Sequence, residues 1–170
     1  MLINGSDLLN LVDPRLKQYI FTKFKDNSET LSACFEELLK FLYISSKYPK
    51  LKRTFIPLTQ EVDDIWHSLI LQTAYYQKLC EALPSGRMVH HESITFNDYK
   101  TDIPRKELVD EMLQWISLYV KNFGDIAEDR LKFWFFIKMI KQTLNITLDE
   151  LNRHARNDVH FKNDLVLNCR

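Results

Sequence analysis

The sequence predicts an all-α protein, a compact bundle of about six or seven helices, on three observations. Only three glycines and five prolines interrupt 170 residues. Between them, apolar side chains recur every three or four positions, the period that lines one face of a helix. Several of these stretches also open on a residue suited to capping a helix N-terminus.

Asp13-Pro14 reads as an N-cap with proline at the first helical position, followed by a mostly apolar stripe of Leu16, Tyr19, Ile20, Lys23 and Phe24. A second helix begins near Ser28 and carries Leu31, Phe35, Leu38, Leu39 and Leu42 on one face. Pro49 and Pro57 bracket a loop. Thr59 then caps a third helix whose first turn holds Glu61, Asp63 and Asp64, where carboxylates favour the helix dipole. Thr73 reads as the cap of another short helix, which bends the chain between Leu71 and Ala74. Pro84 and Gly86 break it again, and the polar stretch after them admits one short hairpin near 87–97. Pro104 opens a helix with Leu108, Met112, Trp115, Ile116, Tyr119 and Phe123 inward and Gly124 as its stop. A further helix is expected over Glu128 to Leu144, and Thr147-Leu-Asp-Glu150 matches a capping box for the last one. Residues 1–156 are read as a single helical domain and 157–170 as a polar C-terminal tail.

Composition narrows the function. With 45% apolar and 12% aromatic residues the chain can bury a core. Basic and acidic residues balance at 23 each, which argues against nucleic acid or an anionic membrane surface as partner. The longest wholly apolar run, FWFFI at 133–137, is far short of the ~20 residues of a membrane span. Neither GxxxxGK[ST] nor GxGxxG occurs, so no nucleotide cofactor is expected, and HExxH is absent as well. Cys34, Cys80 and Cys169 are odd in number and far apart, which points to a reducing, cytoplasmic setting.

The chemistry is concentrated in VDDIWHSLILQTAYYQKLCEALPSGRMVHH, residues 62–91, which holds three of the five histidines. Asp63 and His67 are four residues apart, so one helix places them on a shared face where the carboxylate orients the imidazole. On a continuous helix Cys80 would sit about 220° around from His67, so only a bend or a returning loop brings further donors near. The Pro84/Gly86 turn can fold His90 and His91 back toward the helix. His67, Cys80, His90 and His91 are nitrogen and sulfur donors suited to zinc or iron, although their spacing matches no strong zinc signature. A plainer reading makes Trp66 a core residue and His67 a partner of Asp63 and a backbone carbonyl. A third makes Cys80 a nucleophile activated by His67. Cys34 reads as core, and His154 and His160 as solvated. Of the aromatics 133–136, one or two are expected to be exposed as a partner surface, since one helix cannot bury four in a row.

The order V-D-x-x-W-H-x-x-I-L-x-T-x-x-Y-x-x-x-C, then G, then H-H, resembles a motif of small bacterial proteins related to the glycine-rich domain-containing proteins of plants. Val62, Asp63, Trp66, His67, Ile70, Leu71, Thr73, Tyr76, Cys80, Gly86, His90 and His91 occupy the pattern. A long helix, a loop and IPLTQEVD precede it, so the resemblance covers roughly residues 31–92. The pattern is broken at Pro84-Ser85, where an aromatic usually precedes the glycine, and at Glu92-Ser93, where proline is usual. The resemblance implies no settled activity.

Together these readings give a helical domain that binds zinc or iron through His67, His90 and His91, with Asp63 orienting and Cys80 as a further donor. Whether it is an enzyme is left open, as are its oligomeric state and the protein or small molecule it meets. The alternative is a metal-free interaction module in which the same residues form a rigid polar knot.

Overall fold

A computed structural model describes residues 2–24, 28–51, 57–91 and 104–157. Every regular element in these residues is helical, so the chain is all-α as its periodicity predicts. Backbone contacts divide it into two compact units, one of residues 3–51 and 58–92 and one that includes all the described residues from 104 onward.

The first unit contains α1 (Gly5–Leu9), α2 (Pro14–Lys23), α3 (Ser28–Lys47), α4 (Gln60–Leu71) and α5 (Thr73–Ala82). Asp13 caps α2 by accepting the Arg15 N–H at 2.9 Å, with Pro14 in the first turn where no N–H is required. The expected stripe of α3 is buried, but so are Cys34, Phe41 and Ile44, because α1 and α4 both pack against this helix. A helix covered on more than one side needs apolar residues beyond a single stripe. It also buries a polar pair, Lys40 Nζ donating to Glu37 Oε1 at 2.7 Å. Partnering is what makes two buried charges tolerable there.

α4 packs on α2, α3 and α5. Its apolar side is Val62, Ile65, Trp66 and Leu69, all buried. Lys23 at the end of α2 donates to Ser68 Oγ at 2.9 Å, and Ser68 in turn donates to the Asp64 carbonyl. The bend near residue 72 is present, but its capping differs from the expectation. Gln72 stands at the cap position and makes no side-chain bond, while Thr73 is already helical. Thr59 likewise occupies the cap position of α4 without a side-chain cap bond.

The second unit contains α6 (Arg105–Phe123), a 3-10 helix (Glu128–Phe133), α7 (Phe135–Leu144) and α8 (Leu148–Arg156). Pro104 is the cap residue of α6 rather than its first helical residue, and Gly124 ends it at φ 85°, a conformation that favours glycine. The single helix expected over 128–144 is interrupted at Trp134, whose backbone is extended. That break, with the short α1, raises the described helices to nine, above the six or seven expected. It also disposes of the supposed aromatic surface. Phe133 and Trp134 lie outside the α-helical register, so Phe133, Trp134 and Phe136 are all buried and Phe135 is half-buried. Trp134 meets Tyr119 edge-on at 5.5 Å instead.

α8 opens on the predicted capping box. The Thr147 N–H and hydroxyl both donate to Glu150 Oε2 at 2.8 Å, and Glu150 N–H donates to Thr147 Oγ1 at 3.2 Å. Farther along, the Asn152 amide accepts from Ile126 N–H at 2.9 Å and donates to its carbonyl at 3.0 Å, tying the α6–α7 link to the helix. The two donors from Thr147, its N–H foremost, hold the Glu150 carboxyl below the usual range. A depressed carboxylate stabilises the fold above its unfolded pKa of about 4.3, and that contribution disappears as pH falls through the lower folded value. The stability gap between wild-type and Glu150→Gln protein, measured by urea unfolding, should be open at neutral pH. It should narrow well into the acid range, and a gap independent of pH would refute this account of the box.

No strand occurs at 87–91, and the rest of the hairpin expected near 87–97 lies outside the described residues, as does the tail beyond Asn157. Among the described residues no helix is long and apolar enough to cross a membrane.

Candidate metal centre

The site is built where a returning segment, residues 83–91, meets α4. Leu83 ends α5 in an extended conformation, and the Gly86 N–H donates to its carbonyl at 2.9 Å. Gly86 has φ 63°, which most side chains would strain, so a glycine at this turn has a backbone reason. Ser46 of α3 anchors the turn: its Oγ lies 2.8 Å from Ser85 Oγ and accepts the Ser85 N–H at 3.0 Å.

Farther along, a short relay holds the segment down. Trp66 Nε1–H donates to the Tyr76 hydroxyl at 3.0 Å, and that hydroxyl donates to the Val89 carbonyl at 2.6 Å. All three residues are buried, so each polar atom is satisfied out of water by the next. Burial then alternates along the extended return: Met88 out, Val89 in, His90 out, His91 largely in. That alternation decides between the adjacent histidines. The His91 side chain is 6% exposed and stands edge-on to Trp66 at 4.4 Å, while His90 is exposed.

Asp63, His67 and His91 therefore come together, with ligand-type atoms, one from each, all within 4.8 Å of one another. Asp63 Oδ1 lies 2.8 Å from His91 Nε2, and its Oδ2 lies 3.3 Å from His67 Nδ1. His67 Nδ1 is also 2.9 Å from the Asp63 carbonyl, and the two imidazole rings are 4.3 Å apart. Both ring nitrogens face acceptors only, so each carries a proton, His91 donating to the Asp63 carboxylate and His67 to the Asp63 main-chain carbonyl. Asp63 therefore fixes His67 chiefly through its main-chain carbonyl, with the carboxylate beside it at 3.3 Å, and the carboxylate itself fixes His91.

A cation would replace the proton that bridges His91 Nε2 and the Asp63 carboxylate. Bonds of about 2.0–2.2 Å place neighbouring donors about 2.9–3.5 Å apart in a tetrahedral or octahedral shell. The 2.8 Å between His91 Nε2 and Asp63 Oδ1 is already close to that, and the three donor atoms, one per residue, all lie within 4.8 Å of one another. Two imidazoles and one carboxylate suit zinc or iron. The group is shielded on one side, where Trp66 packs between Phe41 and His91, and open on the other, where the His67 side chain is 47% exposed.

Cys80 and His90 do not join this group. Cys80 is buried on α5, and burial pushes its thiol up against opposing hydrogen bonds from the Val89 backbone and Tyr76. It is a protonated, core-filling thiol at neutral pH rather than an activated nucleophile, and His67 has its contacts with Asp63 and His91 instead.

Sequence reading missed the Trp66–Tyr76–Val89 relay and the Ser46–Ser85 anchor. The motif contains Trp66 and Tyr76, ten residues apart, and a bend between them was the available signal that they could meet. Nothing local marks Ser46. Comparison of the chain with protein-family models, with curated proteins and with solved structures returns no match.

Proposed function

We propose that this protein binds a divalent transition metal, zinc or iron, through Asp63, His67 and His91. One observation carries the reading. His91, 24 positions beyond His67, is delivered to the same carboxylate that the helix already shares with His67. Helical spacing alone accounts for Asp63 beside His67, whereas the third donor requires the turn, the relay and the anchor together. His90 and Cys80, the other expected donors, have no part in this version of the site.

Elemental analysis of tag-free protein tests it. Near-stoichiometric zinc or iron is expected in wild-type and His90→Ala protein, and a marked fall in His67→Ala and His91→Ala. Wild-type protein that is isolated without metal and takes up none on titration would overturn the proposal.

The second reading, a metal-free interaction module, is favoured by the hydrogen bonds Asp63 already accepts from both imidazoles, at its carboxylate from His91 and at its main-chain carbonyl from His67. It has lost its expected aromatic surface at 133–136, and among the described residues the exposed large apolar side chains are Leu2, Leu11, Leu71 and Met88. Kinship with the small bacterial relatives of the glycine-rich domain-containing proteins belongs to the same proposal. In its support, motif residues Val62, Trp66, Tyr76 and Cys80 are buried, and Trp66 packs on His91 of the cluster. A reducing, cytoplasmic setting is likewise proposed, supported by the free thiols of Cys34 and Cys80.

A further inference from the structure

We infer that a cation held by Asp63, His67 and His91 keeps at least one exchangeable position facing solvent, and that this position takes a small anionic ligand with an oxygen or nitrogen donor. The inference rests on the proposed metal site. Closed shells of four protein donors characterise structural zinc, whereas three donors leave a place for an external ligand. Among the described residues the group contains three donors.

The surroundings say where the open position points. His91 and Asp63 are 6% and 15% exposed at their side chains, with the Trp66 ring against His91. His67 is 47% exposed, so access is from its side of the cluster. Charge decides the ligand class. One carboxylate against a dication leaves a net positive charge, and a bound ion is the strongest local field in such a site. Among the described residues the ion pairs of Asp63 are with the two histidines, and no lysine or arginine pairs with it. On this reading the attraction for an anion comes from the metal, and anion binding depends on metal occupancy.

Cobalt(II) reports this directly, because its visible absorption follows the number and kind of its donors. Full-length protein loaded with cobalt(II) is titrated with azide, with His67→Ala, His91→Ala and His90→Ala proteins alongside. The expected result is a saturable change in the visible bands, one azide per cobalt, present in wild-type and His90→Ala protein and reversed when azide is dialysed away. Cobalt uptake with a spectrum indifferent to azide would overturn the inference alone, since a protein donor would then fill the shell. Failure of wild-type protein to take up cobalt would overturn the metal site and this inference with it. Azide-responsive cobalt that persists in both His67→Ala and His91→Ala proteins would also overturn it, by locating the ion elsewhere.

Discussion

Replacing Trp66 with alanine is expected to destabilise the protein by about 3–5 kcal/mol, the range for deleting a large buried aromatic. Two losses combine. The indole is 2% exposed and packs edge-on against Phe41 at 5.0 Å and His91 at 4.4 Å, so its removal opens a cavity between α3, α4 and the returning segment. Its N–H also leaves the Tyr76 hydroxyl. Tyr76→Phe separates these effects. It keeps the ring but strands the Trp66 N–H and the Val89 carbonyl in a dry interior, which costs about 1–3 kcal/mol. Urea unfolding with an unchanged m-value is the measurement, because a changed m would mean an altered unfolded ensemble rather than a lost contact. At about 2–4 °C per kcal/mol for a chain of this size, the alanine variant should also melt well below Tyr76→Phe. Equal effects in the two variants would mean that the polar relay, not the packing, dominates at this position.

Features specified within a few residues were readable from sequence, and features requiring distant partners were not. Asp13-Pro14 and the Thr147–Glu150 box are local chemistry, since the side chain and the orphan N–H it satisfies lie within three positions. The helical spacing of Asp63 and His67 is equally local. The interruption at Trp134 is not, because apolar periodicity continues through 128–144 and only tertiary packing of Trp134 on Tyr119 accompanies an extended residue there. The cap at Thr73 failed for a related reason: the bend falls one residue earlier, at Gln72, so the favourable hydroxyl is already inside the helix. Choosing His91 over His90 required the register of the return. That register is set by Ser46 at one end and by Tyr76 on Val89 at the other, contacts spanning 39 and 13 positions. Cys80 is the instructive case among the expected donors. Its residue type suited a metal, but its place on α5 turned it into the core, where a small thiol behaves as an apolar side chain.

Zinc should raise the melting temperature of metal-stripped protein, and the size of that rise in four proteins distinguishes a metal centre from a packing motif. Binding to the folded state alone, at a free metal concentration 100 times the dissociation constant, stabilises by about 2.7 kcal/mol. For this chain length that is roughly 5–10 °C. The melting temperature of an apo variant is by itself uninformative here. His91→Ala removes a buried ring from Trp66 and unpairs one oxygen of Asp63, so it destabilises under either reading. The increment on adding zinc carries the information, because it counts only what the metal contributes. It should be full in wild-type and His90→Ala protein, and lost or nearly lost in His67→Ala and His91→Ala. Asp63→Asn should also lose most of it, since the amide keeps the shape of the side chain but removes the charge shared by both imidazoles. If all the variants melt lower but zinc moves none of them, wild-type included, the Asp63–His67–His91 cluster is a hydrogen-bonded brace between α4 and the returning segment. If the increment survives in His67→Ala and falls only in His91→Ala, the exposed imidazole is dispensable and the ion is held from the buried side.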